Sequence, residues 1–168
     1  IWGSWLISTG GYLFSKGFTG IEIGSIYSTL GIASLFMPAL LGIVADKWVN
    51  AERVLGFSHL FGAVCLLLAS TITSPTLMFW VMLLNSMAYM PTISMNNTVS
   101  YKILSQSGFD VVKDFPPIRV WGTIGFICAM WFSDLTGFAK SNTQFYVAAI
   151  SAVAMGLYSL SLPKCPPV

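Results

Sequence analysis

The sequence predicts an all-α membrane protein with six transmembrane helices, the first of them truncated. The composition is 55% hydrophobic and only 8% charged, whereas ordinary soluble domains are about 25% charged. Mean hydropathy is +0.77. Apolar segments divide the 168 residues into six, most of them near the ~20 residues that a helix needs to cross a bilayer. Membrane strands, with about 10 residues of strict alternation, do not fit these lengths.

The first segment ends near Ser15 and already reads as membrane helix at Ile1-Trp2-Gly3-Ser4-Trp5, with no initiator Met and no basic n-region. We therefore expect both ends to be cut from a longer chain. The second segment covers residues 24–45, the third 54–72, the fourth 77–101, the fifth 117–135 and the sixth 144–162. Residues 102–116 form the longest polar interruption. This stretch holds Gly108, Asp110, Lys113, Asp114 and the Pro116-Pro117 pair, which is expected to end or start a helix. Alternating the connectors puts Lys47, Arg53, Lys102, Lys113 and Lys164 on one side and Lys16 and Lys140 on the other. The positive-inside rule makes the first side cytoplasmic.

A net charge of +2 with no basic run gives no footing for nucleic acid. Cys65, Cys128 and Cys165 lie far apart, so neither a disulfide framework nor a zinc site is indicated. No Ser-His-Asp or Cys-His arrangement, metal-ligand cluster or phosphate loop is present, so an enzyme is not expected. His59, alone near the start of the third segment, reads as a packed or interfacial residue.

The candidate binding residues come from helical phase. At about 100 degrees per residue, Arg119, Thr123, Phe126 and Met130 share roughly a 60-degree sector of the fifth helix. An arginine at membrane depth costs on the order of 3 kcal/mol, so it is expected to face a cavity or ligand, with snorkelling to headgroups as the alternative. Asn85, Tyr89, Thr92 and Asn96 form an equally narrow stripe on the fourth helix. That stripe is either a second wall of the same site or helix-helix glue. Gly31, Gly42, Gly122 and Gly125 read as close-approach positions for packing. Thr29-Leu30-Gly31-Ile32 and Thr123-Ile124-Gly125-Phe126 are compatible with an internal repeat. The acids Glu22, Asp46, Glu52, Asp110, Asp114 and Asp134 fall at helix ends or in loops, leaving no carboxylate at mid-membrane.

The stretch Gly42-Ile43-Val44-Ala45-Asp46-Lys47 followed by Arg53 is similar to the signature between the second and third helices of the major facilitator superfamily. Its second glycine and next basic residue are replaced here by Val49 and Asn50. The run from Gly31 to Trp48, the Ala88-Tyr89-Met90-Pro91-Thr92 stretch and the run from Asp114 to Phe126 resemble the N-terminal half of the nucleoside-proton symporter family within it. The resemblance covers residues 1–163 as a six-helix bundle, with 164–168 starting a cytoplasmic linker and the C-terminal six-helix half absent. It implies that Arg119, Thr123 and Phe126 bind a nucleoside, with Asn85, Tyr89 and Asn96 as further candidates. Asp46 and Lys47 would belong to a cytoplasmic gate. The proton would be the coupling ion, carried by acids in the other half, with no other cofactor. The location would be the bacterial inner membrane. Oligosaccharide-proton symporters share an arginine, two glycines and an aromatic at the spacing of Arg119, Gly122, Gly125 and Phe126. They pair that arginine with an acid on the fourth helix, where this chain has none. A third alternative is a stand-alone six-helix structural or regulatory subunit.

Overall fold

The computed structural model describes residues 1–167. A 3-10 turn over Trp2–Ser4 leads into α1 (Thr9–Ser15), followed by α2 (Gly20–Lys47), α3 (Ala51–Ala69), α4 (Pro75–Gln106) and α5 (Val111–Leu135). A second 3-10 turn, Phe138–Lys140, precedes α6 (Thr143–Leu160). Four helices, α2, α3, α4 and α6, are long and apolar enough to cross a membrane. The 25 residues of α5 reach about 37 Å at 1.5 Å per residue, but Lys113, Asp114, Arg119 and Asp134 give it more charged residues than any other long helix.

Side-chain caps set the starts of α2 and α5. Thr19 and Glu22 form a reciprocal capping box, with the Glu22 amide donating to Thr19 Oγ1 at 3.3 Å and the Thr19 amide donating to Glu22 Oε2 at 2.8 Å. This starts α2 four residues before its apolar run begins. The larger departure from expectation is at α5, which begins at Val111 and runs straight through Pro116 and Pro117. Asp110 makes that start possible, because its carboxylate accepts from the amides of Val112 at 2.9 Å and Lys113 at 3.3 Å. The two prolines leave only the carbonyls of Val112 and Lys113 without i+4 donors. Both residues are exposed in the first turn, so the missing bonds interrupt no membrane-buried backbone.

Helix α3 is the centre of the bundle and buries twelve of its nineteen residues. It packs on α4 along one side and on α6 along the other, while α2 packs on the far side of α4. The α3–α6 seam closes on glycine. A Cβ placed on Gly156 would lie 2.8 Å from Leu60 Cγ and 3.0 Å from the Gly56 carbonyl, and one on Gly56 would meet Leu160 and the Gly156 carbonyl equally closely. Backbones can approach this far only where side chains are absent. Gly31, Gly42 and Gly125, read from the sequence as packing positions, have no atom within 4 Å of such a Cβ. The close approaches therefore belong to other glycines.

Polar side chains tie the two ends. Gln144, fully buried, accepts from Ser8 Oγ at 2.8 Å and Thr9 Oγ1 at 3.2 Å, and donates to the carbonyls of Ala139 at 3.2 Å and Ser141 at 2.9 Å. The irregular backbone before α1 is satisfied by Tyr27, which donates to the Leu6 carbonyl at 2.6 Å and accepts from the Gly10 amide at 3.0 Å. At the opposite end, Ala45, Ala51, Val54, Leu55, Met95, Val99 and Cys165 form a second apolar cluster. Glu52, only 3% exposed, accepts from the Cys165 amide at 2.8 Å and from Asn50 Nδ2 at 3.0 Å. Lys102 Nζ donates to the Pro166 carbonyl at 2.7 Å. The residues after α6 are thereby laid across the ends of α3 and α4. Burial, joined by the Glu52 carboxylate, pushes the Cys165 thiol above its usual range, so this cysteine stays a protonated, packed residue at neutral pH.

Candidate functional site

Phase arithmetic on α5 places Arg119, Thr123 and Phe126 on one face, and the structure turns that face towards α4. Between them lies an open cleft of about 680 Å³. Its walls are Tyr89, Thr92, Ile93, Asn96 and Asn97 of α4 and Arg119, Gly122, Thr123, Gly125 and Phe126 of α5. Ile1, Trp2 and Gly3 close one end, and His59 of α3 with Ser151 and Met155 of α6 complete the lining.

Arg119 and Thr123 are exposed to the cleft and Phe126 is half-buried. The guanidinium of Arg119 lies back along its own helix, with Nη1 2.8 Å from where a Cβ on Gly122 would stand. Gly122 therefore leaves room for the arginine rather than for another helix. Gly125, with open space where its Cβ would be, keeps the wall between Thr123 and Phe126 flat. At the next turn Phe126 is held from behind, since its carbonyl touches the position a Cβ on Gly3 would occupy. A phenyl ring, a hydroxyl and a five-donor guanidinium thus line one wall. No carboxylate is among the described residues that line the cleft.

The opposite wall divides the α4 stripe. Tyr89 and Asn96 line the cleft. Asn85 does not. It is 2% exposed, and its Oδ1 faces α3, 3.4 Å from the Cβ position of Gly62. One turn of helix separates Asn85 from Tyr89, and over that turn α3 closes against α4, so the start of the stripe is helix-packing polarity. Thr92 reaches the cleft, but its hydroxyl donates to the Tyr89 carbonyl at 2.6 Å.

Tyr89 is sandwiched by two rings that sequence reasoning did not assign to a site. Trp2 stacks on it with centroids 4.7 Å apart and planes at 26°, and His59 meets it edge to face at 6.0 Å and 76°. Neither carried a signal in the sequence beyond its residue type, because the contact that joins them to Tyr89 links three segments distant in the chain. Asp46 and Lys47, the expected gate residues, lie exposed in the last turn of α2, outside the cleft and at the end where Glu52 holds the tail. Thr29, the counterpart of Thr123 in the suggested repeat, is buried and bonded to Ser86 at 3.2 Å. The two threonines have different surroundings.

The family model described as Nucleoside H+ symporter matches residues 1–168. The chain is 52% identical to the nucleoside permease NupG of Escherichia coli over 167 residues, covering 99% of this chain and 40% of that protein. It is 49% identical to the xanthosine permease of the same organism, again over 99% of this chain and 40% of that protein. A crystal structure of nucleoside transporter NupG superimposes with a TM-score of 0.95 at 52% identity, over 98% of this chain and 41% of that one. The chain thus spans about 40% of the length of the permeases it matches. An all-helical chain whose whole length matches these permeases, and whose cleft carries a single arginine on its α5 wall, belongs to the nucleoside-proton symporter family.

Proposed function

We propose that this chain is the N-terminal half of a nucleoside-proton symporter of the bacterial inner membrane, and that the cleft between α4 and α5 is its half of the nucleoside site. Residues 1–163 would form the six-helix bundle and 164–168 the start of the cytoplasmic linker to a second half. The observation that carries the reading is the shared face of Arg119, Thr123 and Phe126 opposite Tyr89 and Asn96, with no carboxylate in the lining. The phenyl ring offers a stacking surface for a nucleobase. Arg119 and Thr123 donate to base or ribose oxygens. Without an acid, the arginine has no internal ion pair to break before it binds a neutral, oxygen-rich ligand.

The coupling proton needs a titratable carrier at membrane depth. The carboxylates of this chain sit at helix ends, so the proton-carrying acids are assigned to the other half, and no other cofactor is invoked. Alternating access would rock the two halves about the cleft, with Asp46 and Lys47 at a cytoplasmic gate between them. Uptake of uridine by the full-length transporter, in cells lacking their own nucleoside permeases, tests the site. Loss of a charged hydrogen bond costs about 1.5–3 kcal/mol, so Arg119→Ala should lower uptake at sub-saturating uridine about 10- to 100-fold. Phe126→Ala should act in the same direction. Parental uptake by both variants would remove the site.

A further inference from the structure

His59 is 7% exposed and sits on the most buried helix of the bundle, yet it lines the cleft. Its ring is fixed on one side by the edge-to-face contact with Tyr89 at 6.0 Å, and Tyr89 is in turn backed by Trp2 at 4.7 Å. Ile1 of the first segment, Asn96 and Asn97 of α4, Arg119 of α5 and Ser151 of α6 supply other polar groups of the cleft it shares. Neither ring nitrogen of His59 is buried without a partner, and neither bonds to another described residue, while the residue itself is part of the cleft lining. A histidine kept only for volume would place its polar edge against a protein acceptor or out of the cleft altogether.

We propose that His59 is a substrate-contacting residue of this site, where its neutral imidazole donates one hydrogen bond to, and accepts one from, the ribose diol of the nucleoside. The inference rests on the nucleoside reading above. Its chemistry differs from that of Arg119. A guanidinium has only donors and suits carbonyl oxygens, whereas a neutral imidazole offers a donor and an acceptor in one ring and matches vicinal hydroxyls, which also do both. No carboxylate lines the cleft to pair an imidazolium. The Trp2–Tyr89–His59 stack fixes the ring so that little side-chain freedom is lost on binding.

The test is uptake kinetics of the full-length transporter in cells without other nucleoside permeases, normalised to transporter in the membrane. The variants are His59→Phe, His59→Gln and, as a second apolar replacement, His59→Met. Uridine and 2′,3′-dideoxyuridine, which lacks the diol, are the substrates. Removing the hydrogen bonds should raise the KM for uridine about tenfold in His59→Phe and His59→Met with little change in maximal rate. His59→Gln, which keeps a donor and an acceptor, should return it to within about threefold. For dideoxyuridine the apolar variants and the parent should have the same KM.

Parental uridine KM in both apolar variants overturns the proposal, as does equal loss for uridine and dideoxyuridine, which marks a purely structural role. Loss of proton-driven accumulation with an unchanged KM in counterflow also overturns it and makes His59 a proton carrier. Arg119→Ala measured alongside separates the two readings. If Arg119→Ala is impaired and the apolar His59 variants are not, only the His59 assignment fails. If neither matters, the nucleoside site itself falls.

Discussion

Helix α3 and helix α5 are both long and largely apolar, but one is an axle and the other a wall. Twelve of the nineteen residues of α3 are buried, whereas α5 buries only Ser133. The α3–α6 seam closes on Gly56 and Gly156 with backbone carbonyls 3.0 Å from the opposing Cβ positions. The glycines of α5, Gly122 and Gly125, border open space and the arginine instead. The same residue type therefore serves stability in one helix and access in the other. In a bilayer, where apolar side chains gain nothing by leaving lipid, a central helix must be held by close packing. A helix that lines an open cleft must avoid such packing.

Substitutions that treat the two regions alike should break this contrast if it is wrong. Gly156→Ala has the largest expected effect. Its methyl would lie 2.8 Å from Leu60 Cγ and against the Gly56 carbonyl, and overpacking of this kind costs about 2–3 kcal/mol. Reversible unfolding of the full-length protein in mixed micelles measures it, and an unchanged midpoint would show that the seam can yield. Next, Glu52→Ala strands the buried Cys165 amide, for a loss of about 2 kcal/mol. The same unfolding assay reads it, together with faster alkylation of Cys165, whose burial depends on the docked tail.

Gly122→Ala sharpens the comparison from the other side. The added methyl meets only the Arg119 guanidinium at 2.8 Å, a flexible group that can swing away, so stability should not fall, and losing a helical glycine can add up to about 1 kcal/mol. The displaced arginine should instead raise the nucleoside KM roughly threefold, in proportion to a weakened hydrogen bond. Gly42→Ala should have the smallest effect. Nothing lies near its Cβ position, and replacing a helical glycine removes up to about 1 kcal/mol of backbone cost. The unfolding midpoint should stay level or rise slightly, and a fall would mean that an unseen neighbour packs there.

The helices and the α5 face were legible in the sequence because both follow from periodicity. Hydropathy located the spans, and the spacing of Arg119, Thr123 and Phe126 fixed their common direction whatever the tertiary packing. Depth along a helix is not periodic. The α4 stripe therefore looked uniform, although α3 covers Asn85 and leaves Tyr89 and Asn96 open. The Pro116-Pro117 pair was misread as a boundary because proline chemistry was weighed without the Asp110 cap, which begins the helix six residues before Pro117. His59 and Trp2 could be placed only by knowing that α3 and the first segment meet at Tyr89. Contacts between segments distant in the chain leave no trace in the local pattern of either.

The docked tail bears on how such a bundle can move. Glu52 and Lys102 anchor the residues after α6 at two points, on different helices, while Gln144 fastens the opposite end through Ser8 and Thr9. These ties join α3, α4 and α6 to the first segment and to the tail, and none of them reaches α5. Under the proposed rocking of two halves, the cross-tied α3, α4 and α6 would tilt as one body while α5 keeps the freedom to adjust the opposite wall of the cleft.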